Sequence, residues 1–171
     1  VYVRIDGFRV ERAPEWRGQR VFVRHEVGGK AYELRLSEES AGTQKLMGLA
    51  AYLMTALERG GTVVVDELDA KLHPKLLRYV ILLFKDPGVN KSGAQLIFSS
   101  QDVSTMRNDV FRRDEIWFAA RGEGEASQLW SLADIHEANG NLVSKNAAFD
   151  KQYLSGRYGA DPYLTRIEEW D

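Results

Sequence analysis

One short run constrains this chain more than any other: Thr62-Val63-Val64-Val65 leads without a break into Asp66-Glu67. An unbroken β-branched run predicts a strand buried on both faces, which belongs in a parallel sheet with helices on each side. The two carboxylates then stand at the C-terminal end of a buried strand, where open α/β sheets build their ligand sites. Charges beside a buried run are costly unless water or a ligand takes them up. The pair is therefore either a working site or a solvated strand end.

The flanks support the α/β reading. Val1, Val3 and Ile5 alternate with Tyr2, Arg4 and Asp6, and Val21-Phe22-Val23 and Tyr32–Leu36 read as further strands, the last two joined at Gly28-Gly29. The period then changes. Leu46, Leu49, Ala50, Leu53, Met54 and Leu57 follow helical spacing, predicting a helix over Thr43–Arg59 with a broad buried face that stops at Gly60-Gly61. Pro74 opens a second helix with an apolar stripe of Leu76, Leu77, Val80, Ile81 and Phe84. Gln95–Phe98 reads as a second buried strand, ending in Ser99-Ser100-Gln101-Asp102. Glu115–Ala120 and Ser127–Ser131 read as a hairpin around Arg121–Glu125, and Leu132–Asp171 as a helix or two plus a tail. Helix and strand alternate, so the expected class is α/β, a central mostly parallel sheet flanked by helices, with the N-terminal β strands beside it.

Composition narrows the function. The 171 residues suit a single domain, 1–171. With 23 basic against 25 acidic residues the net charge is −2, too balanced to coat nucleic acid by bulk electrostatics. There are no cysteines, which excludes disulfides, thiolate metal sites and cysteine nucleophiles. The longest uncharged apolar stretch, Leu46 to Leu57, falls short of the ~20 residues of a membrane span. No signal peptide is visible, so the expected location is cytoplasmic and no membrane partner is expected.

Three places carry chemistry. At Asp66-Glu67, a nucleotide hydrolase uses the first acid for Mg²⁺, which prefers oxygen ligands, and the second for the attacking water. At Ser40-Ala41-Gly42-Thr43-Gln44-Lys45, Ser40 caps a helix whose free N–H groups suit a phosphate, and Gly42 permits close approach. Ser99–Asp102 would lie beside Asp66-Glu67 if the two strands are neighbours. His25 and His73 have no second histidine at ligand spacing and are read as spare.

In this order the three resemble the second half of an ABC-type ATPase head. Ser40–Lys45 resembles its signature motif, Thr62–Glu67 its Walker B strand, Leu68-Asp69-Ala70 its D-loop, and Ser99–Asp102 its switch position. A closer resemblance is to the bacterial AAA-family ATPases grouped with OLD-like, RloC-like and other abortive-infection or anti-phage proteins. It rests on Ser40-Ala41-Gly42-Thr43, Asp66-Glu67-Leu68-Asp69, Leu72-His73-Pro74, Arg112-Arg113-Asp114-Glu115-Ile116-Trp117-Phe118 and Tyr153-Leu154-Ser155-Gly156-Arg157-Tyr158-Gly159-Ala160.

The resemblance implies a P-loop NTPase lobe that uses ATP and Mg²⁺. Asp66 would hold the Mg²⁺ shell and Glu67 would polarise water. Ser40 and Gly42 would contact ATP bound by the opposite subunit of a head-to-tail homodimer, and Asp69 would connect the two sites. Gln101 would stand at the switch, where relatives commonly carry His; glutamine cannot take a proton near neutral pH. Arg112 and Arg113 invite an arginine-finger reading.

No Gly-x-x-x-x-Gly-Lys-Ser/Thr occurs, since Gly28-Gly29-Lys30 lacks the upstream glycine and the hydroxyl residue. The chain, which starts at Val1, therefore reads as the C-terminal half of the head, with a missing Walker A half as partner and inactive in isolation. An effector nuclease or DNA would be the downstream partner. Two other readings stay open: a non-catalytic nucleotide-sensing or interaction scaffold, and a nuclease using Asp66, Glu67 and Asp69 as metal ligands.

Overall fold

The computed structural model describes residues 4–12, 19–121, 126–137 and 139–160. The alternating N-terminal segment forms a three-stranded antiparallel sheet of β1 (Arg4–Arg12), β2 (Gln19–Val27) and β3 (Lys30–Arg35), in the order β1-β2-β3. The β2–β3 turn is Gly28-Gly29, both at positive φ (60° and 75°), so a two-residue turn closes the Val27–Lys30 pair as the sequence predicts. Val23 and His25, two residues apart on β2, are buried.

Helix α1 spans Ala41–Arg59, starting two residues earlier than the periodicity indicates because Ser40 caps it and accepts from the Thr43 amide at 3.1 Å. Gly60, at φ 75°, ends it. Its buried stripe is narrower than expected: Leu53 and Ala56 are buried, whereas Met54 is exposed. Strand β4 is Thr62–Val65, and α2 is Pro74–Lys85, with Pro74 in its first turn and His73 as its cap. Strand β5 is Gln95–Phe98, followed by β6 (Trp117–Arg121), β7 (Ser127–Ser131) and a short α3 (Phe149–Leu154).

β4 and β5 pair in parallel, in register from Thr62–Gln95 to Val65–Phe98. The expected central parallel sheet is not found among the described residues. The chain is α/β, but the seven strands of its described residues form three separate sheets, of which β4–β5 is parallel and the other two antiparallel. The reason lies in the two faces of that pair. Val65 is buried, and Val63, Leu96 and Phe98 pack with it against Leu53 of α1 and Leu77, Val80 and Ile81 of α2. On the other face Val64 is 73% and Ile97 55% exposed. The apolar run predicts cover on both faces, and the described structure covers one.

A second core gathers Ile116, Phe118, Leu132, Val143, Phe149 and Tyr158, and Phe111 packs against both cores. The aromatic residues of the late Tyr-Leu-Ser-Gly-Arg-Tyr stretch account for much of it: Tyr153 stacks on Phe118 at 5.7 Å and Tyr158 lies 5.3 Å from the same ring. Of the helix or two expected over Leu132–Asp171, the described residues hold a 3₁₀ turn, Leu132–Asp134, and the short α3. Tyr163 and Trp170 of the predicted tail lie outside the described residues. No helix of the described residues is long and apolar enough to cross a membrane.

Candidate functional site

The parallel register brings the two strand ends together. Because Val65 is opposite Phe98, Asp66-Glu67 and Ser99–Gln101 emerge at the same C-terminal edge. Ser99 fastens that edge. Its amide donates to the Val65 carbonyl (3.1 Å), its carbonyl accepts from the Leu68 amide (3.0 Å), and its hydroxyl accepts from the Glu67 amide (2.7 Å). The same hydroxyl donates to Asp66 Oδ1 at 2.5 Å. Asp66 is thus held through one oxygen, and Oδ2 has no hydrogen-bond partner among the described residues.

Glu67 has φ 47°, in the left-handed region that costs a non-glycine residue about 1–3 kcal/mol. That conformation turns the chain sharply after the strand and leaves the side chain exposed beside β5. Gln101 meets it there, Nε2 donating to Glu67 Oε1 at 3.2 Å, while the Gln101 amide donates to Asp69 Oδ2 at 3.3 Å. Asp69 Oδ1 is buried with no partner among the described residues. Four of the predicted site residues (Asp66, Glu67, Asp69 and Gln101) therefore form one contiguous polar cluster.

Ser40 and Gly42 belong to the adjoining wall. The Ser40 hydroxyl bonds Thr43, through its amide and its Oγ1 (2.9 Å), and not the acidic pair. Gly42 lies so near the turn after Glu67 that a Cβ there would meet the Lys71 carbonyl oxygen at 2.8 Å, so glycine is a packing requirement. An open cleft of about 450 Å³, lined by Ala41, Gln44, Lys45, Ala70 and Lys71, separates the start of α1 from that turn.

Four other sequence candidates are committed elsewhere. Arg112 forks onto Asp114 (3.0 and 2.8 Å) and holds that carboxyl below the usual carboxylate range. Arg113 donates to the Val143 carbonyl. An arginine-finger role is thus not supported for either side chain in this arrangement. Asp102 caps the turn at Ser104 (2.8 Å) and Ser100 closes back on the Asp102 amide (3.0 Å), so the end of the polar run is local structure.

Sequence reading missed three contacts. Ser99 was one of four polar residues with nothing to single it out until the register was known. Lys45 donates to the carbonyls of Glu67 (2.5 Å) and Ala70 (3.0 Å), which spacing could not reveal. His25, read as spare, bonds Glu39 through Nε2 and so joins β2 to the residue before Ser40.

Among the described residues no group of three His, Cys, Asp or Glu side chains is arranged to hold a metal ion. Asp66 Oδ2 suits a different kind of site. Mg²⁺ that arrives on phosphates needs only one or two carboxylates and keeps most of its waters.

No curated protein matches the chain at a significant level. A family model does match, over residues 3–107, a stretch that contains Ser40, Gly42, Asp66, Glu67, Asp69 and Gln101. With more than half its length covered, the chain belongs to the AAA-domain family described as "AAA domain, putative AbiEii toxin, Type IV TA system" and carries an ATPase-like nucleotide-binding region.

Proposed function

We propose that this chain is the water-activating half of an ATP-hydrolysing head that works as a head-to-tail dimer. The observation that carries the reading is Glu67: a carboxylate at the end of a parallel strand, turned outward by a left-handed backbone and held at one oxygen by Gln101. Bound with ATP, Mg²⁺ would neutralise phosphate charge. Asp66, oriented by Ser99, would hold the ion's water shell through Oδ2. Glu67 would orient and polarise the attacking water through its second oxygen. Gln101 fixes Glu67 but takes no proton. Ser40 and Gly42 would present the start of α1 to the γ-phosphate of ATP bound by the opposite subunit. Asp69, on the turn between them, would connect the two sites.

A phosphate-binding loop has to come from elsewhere, since none occurs in these 171 residues. The bare face at Val64 and Ile97 is the surface we assign to that partner half. Val64 and Ile97 are its apolar centre, Thr62 and Gln95 its polar end, and it adjoins the strand ends that bear the acids. Within the family, the motif set supports our reading of the chain as akin to OLD-like and RloC-like proteins and as acting in the cytoplasm. ATP-driven closure would then gate an effector such as a nuclease, or contact with DNA, in a toxin–antitoxin or anti-phage setting.

One observation favours a second reading. Gln101 already occupies Glu67 Oε1 at 3.2 Å, and an amide in that place suits a head that senses nucleotide as a scaffold without turning it over. A Glu67→Gln variant, joined with the phosphate-loop half, separates the two. On the catalytic reading it accumulates as an ATP-bound dimer in light scattering while the wild type cycles back to monomer. Identical ATP-dependent behaviour of the two proteins supports the scaffold.

A further inference from the structure

We propose that Lys45 is a positioning residue that couples the nucleotide-facing start of α1 to Glu67, so that the two sites of the dimer act together. The inference rests on the ATPase reading above and adds a regulatory link to it. Lys45 lies one helical turn after Ala41, on the face of α1 that lines the cleft. Among the described residues its ammonium takes no carboxylate partner, although Asp66, Glu67 and Asp69 are all on the neighbouring segment. It donates instead to two backbone carbonyls, those of Glu67 and Ala70.

Those two carbonyls lie on a tight turn. The Glu67 carbonyl also accepts from the Ala70 amide (3.0 Å), and the Asp69 carbonyl accepts from the Leu72 amide (2.9 Å). Both Glu67 and Lys71 are held at positive φ, 47° and 66°. A turn with two left-handed non-glycine residues relaxes unless its surroundings hold it. Lys45 supplies part of that hold from one side and Ser99 from the other, at the Glu67 and Leu68 amides.

The start of α1 therefore lies close against the turn at Gly42, where there is no room for a Cβ beside the Lys71 carbonyl, and is bonded to it by Lys45 at Glu67 and Ala70. A displacement of Ser40 and Gly42 on meeting nucleotide moves Lys45 with the helix. The Glu67 carbonyl, and with it the direction of the carboxylate, follows. In a head-to-tail dimer α1 faces the opposite subunit's nucleotide while Glu67 serves its own, so this linkage joins the two sites.

The test compares wild type, Lys45→Met and Lys45→Arg in the ATPase with its phosphate-loop half. We expect Lys45→Met to lower kcat by about tenfold or more, since small misplacement of a reacting group has effects of that order. KM should stay within about threefold. Lys45→Arg, whose guanidinium can also reach two carbonyls, should recover most of the rate. In the chain by itself, Lys45→Met should speed amide exchange at Leu68, Ala70 and Leu72 while α2 keeps its protection. The proposal is overturned by unchanged kcat in Lys45→Met. It is equally overturned if kcat, KM and thermal stability fall together and Lys45→Arg gives no recovery. A wild type that hydrolyses no ATP defeats the functional reading itself, and the coupling with it.

Discussion

The two cores of this molecule are built differently. In the second, Leu132 and Phe149 have no exposed surface and Phe118, Tyr153 and Tyr158 lie ring against ring, while Trp117 and Leu129 stand exposed on the outer face of its hairpin. Its polar groups are used internally. The Trp130 indole donates to the Tyr158 carbonyl, the Tyr158 hydroxyl to Gln152, and Arg113 to Val143. The first core has one buried side, one bare side at Val64 and Ile97, and strand ends whose carboxylates point outward. A core whose polar groups are satisfied internally stabilises. On the function proposed above, the half-covered sheet with acids on its rim would accommodate a ligand and a second protein half.

The largest effect expected from that contrast is on stability. Truncating the fully buried ring in Phe149→Ala should cost about 3–5 kcal/mol, since a cavity forms where little can collapse into it. Denaturant titration measures this, and nucleotide binding by the remaining folded protein should be unchanged. Loss of binding at full folding would mean that the second core helps build the site.

Smaller in the chain alone, and larger on assembly, is Ile97→Asp. The side chain is already more than half exposed, so stability should change by less than about 1 kcal/mol. Association with the phosphate-loop half should be lost in a pull-down. Retained association would remove the bare face from the account.

The last effect, seen only at high pH, lies in the second core. Burial pushes Tyr158 up from 10.0 to about 12. Below pH 10 both folded and unfolded states keep its proton. Between pH 10 and 12 the unfolded state loses the proton and the folded state keeps it, so stability falls as pH rises through that window. Tyr158→Phe should show a shallower decline in denaturation midpoint from pH 10 to 12. An equal slope would show that other groups govern alkaline unfolding.

The sequence exposed local elements well where a single physical signal decides them. Gly28-Gly29 demands a tight turn, Ser40 a cap, Pro74 a helix start, and each is found at its expected place. Covering of the β4–β5 pair was not legible, because Val63-Val64-Val65 reads the same whether one face or both are packed. Nor was Lys45, since a lysine at helical spacing says nothing about two carbonyls more than twenty residues away. Asp66, Glu67 and Gln101 were legible because strand ends place them. The residues that hold them, Ser99 and Lys45, depend on the register between strands and on where α1 docks.

The most direct test of the central claim is Mg²⁺-dependent phosphate release from ATP by the protein with its phosphate-loop half, comparing wild type, Glu67→Gln and Arg112→Ala. The account predicts turnover in the wild type, a loss of about a hundredfold or more in Glu67→Gln with ATP still bound, and wild-type rates in Arg112→Ala, whose guanidinium is spent on Asp114. Equal turnover in Glu67→Gln and wild type would contradict it.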